Sequence, residues 1–275
     1  MNTQLLHVFR NTPLGRETML QSIYFCNKAG VSLIVYIPEY TKFLMYFDNH
    51  VVQVDLDSSY LTAPETAFTH LEGLTSVGKI PFEIFKPKNF TASVLPDVPV
   101  DYDFMCCPRS MSDPSSTIKL GFIGSRVRKI IKSAKFPILL TSPVYKEWKS
   151  IAVLFGGSLN ALNALKLGFR IHRLSGIPLE IFTQIGGKSR EIFEKLVADE
   201  NLETDMKKFV KKWHFFESGK FEENLYSVPH DALVLMGAYG HGIIKDIMFG
   251  SKMEKAHSVI SNNMLVVGPN YVATN

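Results

Sequence analysis

Residues 231–242 read Asp-Ala-Leu-Val-Leu-Met-Gly-Ala-Tyr-Gly-His-Gly, and residues 249–251 read Phe-Gly-Ser. Together they suit an anion cradle. Gly237, Gly240 and Gly250 have no Cβ, so the backbone can come close to a ligand, take positive φ and present N–H groups to it. A helix opening at Gly250-Ser251 adds unpaired N–H groups and the positive end of its dipole, and Ser251 adds a hydroxyl. His241 lies inside the loop, where it either reaches a terminal phosphate or faces solvent. Lys245 and Lys252 either screen phosphate charge or belong to a charged helix face. A second group sits upstream. Gly156-Gly157-Ser158 follows an apolar run, and Gln184 ends a later one, offering an amide to a base edge or simply terminating a strand.

Other chemistry is thin. No nucleophile, base and orienting group form a set, and no carboxylate pair suits metal-assisted hydrolysis. No catalytic residue and no metal ligand is assigned. Cys26, Cys106 and Cys107 are odd in number and lack a zinc-like spacing. The adjacent pair finishes an apolar run and reads as two inert small hydrophobes more readily than as a redox pair. His7 and His70 read as satisfied core or surface histidines. The glycine run is not a Walker A loop, because no Gly-Lys-Ser/Thr follows its first glycines. It is not the dinucleotide Gly-x-Gly-x-x-Gly either, which belongs after a domain's first strand.

The elements that must hold these residues occur twice, about 145 residues apart. Residues 5–9 and 151–155 are apolar strands ending in polar or glycine turns. Residues 14–28 and 160–173 have helical periodicity and stop at Gly30 and Gly176. Apolar strands follow at 31–37 and 177–185. Later, Gly124-Ser125 and Gly250-Ser251 each open an amphipathic helix that runs into an apolar strand, 136–140 and 264–267. Strands alternating with helices predict a parallel sheet covered on both faces. We read two tandem α/β domains, residues 1–143 and 144–275. In such a sheet a ligand lies at the carboxyl ends of the strands, where residues 237–251 must be.

The spacing Gly237, two residues, Gly240, nine residues, Gly250-Ser251 resembles that of nucleotide-binding universal stress proteins, as do the flanking Leu235-Met236-Gly237 and residues 263–267. The resemblance is strong over 231–268, moderate over 151–185 and 124–142, and weak elsewhere in the first half. It implies an adenine nucleotide α-hydrolase-like fold, with two open five-stranded parallel sheets flanked by helices and arranged as a pseudo-dimer. It also implies ATP or another adenine nucleotide, with or without Mg, held in the C-terminal domain. The family's first strand usually ends in an aspartate near the adenosine; here that place is Gly156, with Ser158 retained. In the first half Arg10 takes the aspartate's place, and Cys107-Pro108-Arg109-Ser110 stands where the glycines should be. Proline has no N–H to give, so that half reads as a degenerate copy and a packing partner.

Composition fits a packed protein, 46% hydrophobic and 20% charged. The net charge of +4 is spread evenly over the two halves, which disfavours nucleic acid. Lys207, Lys208, Lys211 and Lys212 read as one solvated helix face. No stretch approaches a membrane span, and residues 1–10 do not form a signal peptide, so a cytoplasmic location is expected. The leading reading is a stress-response binding module, an enzyme at most through weak ATP hydrolysis. A nucleotide-free scaffold of the same fold is the alternative. A pyrophosphatase-loop enzyme is a remote third, since Phe155 and Asn160 stand where its loop needs serine and aspartate. The apolar terminal strands are expected to pair, with a further homodimer allowed but not required.

Overall fold

A computed structural model describes residues 3–48, 50–111, 123–239 and 260–273. The first half runs β1 (Gln4–Val8), α1 (Pro13–Ala29), β2 (Ser32–Tyr36), β3 (Lys42–Phe47), β4 (His50–Asp55), α2 (Pro64–Gly78), β5 (Phe82–Phe85), β6 (Phe104–Cys107), α3 (Ser125–Ser133) and β7 (Ile138–Leu140). The second half runs β8 (Ser150–Leu154), α4 (Leu159–Ser175), β9 (Leu179–Gln184), α5 (Arg190–Asp199), α6 (Glu203–Phe209), β10 (Val210–Phe216), α7 (Phe221–Asn224), β11 (Ala232–Gly237) and β12 (Met264–Val267). The expected glycine stops are present, Gly30 and Gly176 closing α1 and α4 at φ 63° and 70°, and the structure adds N-caps at Thr12 and Ser158 through their hydroxyls.

The strands form one ten-stranded sheet, in the order β10-β9-β8-β11-β12-β7-β6-β1-β2-β5. This differs from the two separate sheets read from the sequence. Every neighbouring pair is parallel except β12 and β7, which pair antiparallel with Leu265 opposite Leu139. Each strand, left alone, would present a row of open backbone groups and apolar side chains. Pairing the two removes both edges.

Alternation along buried strands gives the sheet two apolar faces. Leu5, Phe104, Leu139, Val153, Leu235 and Leu265 pack on one face against α1 and α4, with Met19, Ile23, Leu165 and Phe169 in contact. Leu6, Met105, Ile138, Leu154, Met236 and Val266 face the other way. Both cores run without a break across the β7–β12 seam. Polar groups also cross it: Asn263 accepts from the Ser142 N–H at 2.8 Å, and the Arg170 guanidinium lies 5.6 Å from the centre of the Phe104 ring.

Two features lie outside the sequence expectations. The hairpin β3–β4 forms its own two-stranded sheet, and its Phe43, Met45, Val52 and Val54 join Val127 and Ile130 of α3 in the second core. The four lysines do not share a helix. Lys207 and Lys208 are in α6, whereas Lys211 and Lys212 are exposed on β10, at the edge of the sheet. The run Val210, Trp213 and Phe215 suits a strand better than a helix, and lysines on an edge strand discourage pairing with another chain.

Candidate functional site

In the second half β8 and β11 are neighbours, while the chain leaves β8 toward β9 on one side and leaves β11 toward β12 on the other. The carboxyl ends of β8 and β11 therefore flank the point where the strand order reverses, where open α/β sheets form a crevice. Gly156 follows β8, Gly237 ends β11, and Gln184 ends β9 on the far side of β8. Three of the sequence-selected residues thus leave adjacent strands at one end of the sheet. Gly240, His241, Gly250, Ser251 and Lys252 lie outside the described residues, as does Lys245.

The local backbone explains two of the glycines. A Cβ on Gly237 would stand 2.4 Å from the Asn160 carbonyl carbon and 2.7 Å from the Ala161 nitrogen, so only glycine lets β11 end against the first turn of α4. Gly157 has φ +72°, and a Cβ there would meet Leu196 at 3.0 Å. The same turn is held by side chains. Ser158 Oγ accepts from the Ala161 N–H at 3.2 Å, and Asn160 Nδ2 donates to the Ala238 carbonyl at 2.5 Å. The start of the glycine-rich segment is thereby fastened to the N-terminal turn of α4. Tyr239, at φ 58°, donates its hydroxyl to the Arg128 carbonyl of α3 at 3.0 Å, and burial pushes that hydroxyl up to about 12.

Gln184 is nine-tenths buried and already engaged: its Oε1 accepts from Asn224 Nδ2 at 2.6 Å. Asn224 was not selected from the sequence. It sits 40 residues away in a four-residue helix, with no motif around it.

The corresponding point of the first half, between β1 and β6, is filled by the chain itself. Arg10 follows β1, is 6% exposed, and pairs through Nη2 with Asp57 Oδ2 at 2.7 Å. Its Nε donates to Ser59 Oγ at 2.5 Å, and its guanidinium lies 5.1 Å from the centre of the buried Tyr60 ring. Asp57 Oδ1 also accepts from the Ser59 N–H, which makes 57–60 a compact turn. On this side the N-cap of α3, Gly124, donates its N–H to the Arg109 carbonyl at 2.8 Å. The Arg109 side chain crosses the seam to the carbonyls of Ile260 and Asn262, and burial lowers its pKa to about 10, still charged at neutral pH. The Arg10 guanidinium, the Arg109 guanidinium and the Gly124 N–H are each directed at protein acceptors here.

The remaining candidates are plain. His7 is buried, lies 2.8 Å from Ser22 Oγ through Nδ1, and is lowered to about 3 by burial. His70 is exposed and meets Asn11. Cys26, Cys106 and Cys107 are free and buried, and burial raises all three thiols, Cys106 to about 12. Low thiolate content makes them poor nucleophiles. Among the described residues no group of three His, Cys, Asp or Glu side chains could hold a metal ion.

No protein-family model and no curated protein matches the sequence. Solved structures match the fold. A universal stress protein from Archaeoglobus fulgidus DSM 4304 superposes with a TM-score of 0.58 at 14% identity, covering 96% of this chain and 98% of that one. A protein from Pseudomonas aeruginosa UCBPP-PA14, assigned by name to the same family, gives 0.56 at 11% identity, with 98% and 94% covered. A functionally unknown protein from Pseudomonas aeruginosa PAO1 gives 0.55 at 11% identity, with 98% and 93% covered. At these identities the likeness is one of fold, and over nearly its whole length the chain has the fold of the universal stress proteins.

Proposed function

We propose that the chain is a tandem universal stress protein-type module, with repeats 1–143 and 144–275 packed as an internal pseudo-dimer. The second repeat takes one adenine nucleotide, ATP or similar, with or without Mg, and the first serves as its packing partner. The reading places it in the cytoplasm as a stress-response binding module, without a dedicated reaction. One observation carries it. The glycine-rich segment leaves the sheet at the strand-order reversal of the second half, while the equivalent point of the first half is closed by Arg10, Asp57 and Tyr60.

The residues present fit a nucleotide in part. Gly237 keeps the backbone close to the N-terminal turn of α4, and residues 240–251 supply glycines and a hydroxyl of the type that holds phosphate. The adenosine end has less. Gly156 offers no carboxylate, and Gln184 is engaged by Asn224. Those two facts favour a second reading, a scaffold of the same fold that binds no nucleotide.

The deciding experiment is mass spectrometry of small molecules released by denaturing the protein purified from its natural host. It should be joined to calorimetry with ATP. One nucleotide per chain is expected. Gly240→Val should abolish binding without unfolding the sheet, and Ser251→Ala should weaken it by about 1–2 kcal/mol for a lost charge-assisted hydrogen bond. No released nucleotide and no ATP heat would leave the scaffold reading standing. Two nucleotides per chain would contradict the closed first repeat.

A further inference from the structure

The end of β11 is held from both halves of the chain. The Ala238 N–H donates to the Val267 carbonyl of β12 at 2.8 Å, and the Ala238 carbonyl accepts from Asn160 in the first turn of α4. Those partners belong to the second half. The Tyr239 hydroxyl donates instead to the Arg128 carbonyl at 3.0 Å, and Arg128 lies within α3 of the first half. The Tyr239 ring is partly buried and packs on the same core as Val127, Ile130 and Ile131 of that helix.

The backbone alone does not favour a tyrosine here. A φ of 58° lies in the left-handed region, which a glycine enters freely and a residue with a Cβ does not. Such a conformation persists where the surroundings over-determine it. Ring packing and the bond to Arg128 do so at Tyr239. The matching place in the first half holds Arg109: each of the two residues stands two positions past the end of its strand, β11 or β6. Arg109 crosses the seam in the opposite direction, to the carbonyls of Ile260 and Asn262. The halves thus exchange contacts from equivalent positions, one through a charged fork and the other through a neutral hydroxyl.

We propose that Tyr239 is a positioning residue: its hydroxyl fastens residues 237–239 to α3, so that the first half completes the crevice of the second. The inference rests on the nucleotide reading for what the crevice holds. Without the bond, fewer molecules keep residues 237–239 in the fastened conformation, and the apparent affinity for ligand falls with that fraction. The first half then does more than pack, because the second half's site depends on it.

Two variants of the full chain test this. Tyr239→Phe keeps the ring and removes the hydroxyl. Asn270→Ala is the control. Asn270 donates across the seam to the carbonyls of Lys132 and Ser133 at 3.2 and 3.1 Å, reaching the same helix without passing through residues 237–239. Amide hydrogen exchange by NMR reads the fastening without a ligand. Tyr239→Phe should speed exchange at Ala238 by about fivefold to tenfold, the loss of one hydrogen bond, and leave Leu235 in the middle of β11 unchanged. ATP calorimetry should show affinity lowered by the same factor, about fivefold to tenfold. Asn270→Ala should match the wild type in both measurements. No ATP heat from the wild type would overturn the nucleotide reading, and exchange at Ala238 would then decide the fastening by itself. The inference is overturned if Tyr239→Phe leaves exchange at Ala238 unchanged, or if Asn270→Ala raises it equally. It is also overturned if the wild type binds ATP and Tyr239→Phe binds it as tightly.

Discussion

Replacing Asp57 by asparagine removes one charge from the pair that closes the first half while keeping an acceptor for the Ser59 N–H. The Arg10 and Asp57 side chains are 7% and 12% exposed and 2.7 Å apart. An exposed ion pair contributes about 0–1 kcal/mol, but removing one member of a buried pair leaves an uncompensated charge and costs about 3–5 kcal/mol. Tyr60 offers the stranded guanidinium a ring face at 5.1 Å, and Ser59 an oxygen, so the lower end, about 3 kcal/mol, is expected. Arg10→Met should cost about the same, because it strands Asp57. The double variant removes both charges and should cost about 3 kcal/mol in place of the additive 6, a coupling of about 3 kcal/mol. Urea unfolding followed by far-ultraviolet circular dichroism measures all four proteins. If Asp57→Asn costs less than about 1 kcal/mol, or if the two single losses simply add, the pair does not close this part of the fold. Calorimetry on the double variant adds a second arm. It should still show no nucleotide site in the first half, since the Gly124 N–H remains on the Arg109 carbonyl.

Gly237→Ala should destabilise by about 3 kcal/mol, the upper end for overpacking, because the atoms it meets are backbone. Gly30→Ala, with nothing within 4 Å, should cost only about 1 kcal/mol for its positive φ, and equal losses in urea melts would refute the packing argument. For His7, the unfolded chain takes up a proton below the ordinary 6.5 while the folded chain resists until about 3. Stability should therefore fall by about 1.4 kcal/mol per pH unit on acidification through that interval, and His7→Gln should remove that component of the slope. Residues 146–275 alone would lack β7, exposing β12, and should dimerise or aggregate. A stable monomer at high concentration by light scattering would count against the seam as the reason for the tandem arrangement.

Much of the framework was legible in the amino-acid order. Helix stops at Gly30 and Gly176, and apolar runs at β1, β8, β11 and β12, depend on residue type and short spacing. Those local preferences survive into the fold. The glycine spacing at 237–251 is a local signal of the same kind, and of its motif positions Gly237 lies among the described residues, at the end of β11. The lysines at 211 and 212 were misread because a charge run has no period of its own, and the neighbouring aromatic residues set the strand.

What only the tertiary structure decided are contacts between residues far apart in the chain. The sequence has Arg10 in the place of a carboxylate, but nothing in it says that Asp57 and Tyr60 fold back over that position. Tyr239 meets Arg128 across 111 residues, and Arg109 meets Ile260 across 151. Two apolar terminal strands predict a need for pairing, while the joining of both halves into one sheet depends on the geometry of β7 against β12. Periodicity and capping act within a few residues and are written in the local order. The choice of partner for a buried charge, a backbone donor or a sheet edge is settled by which surfaces the folded chain brings together.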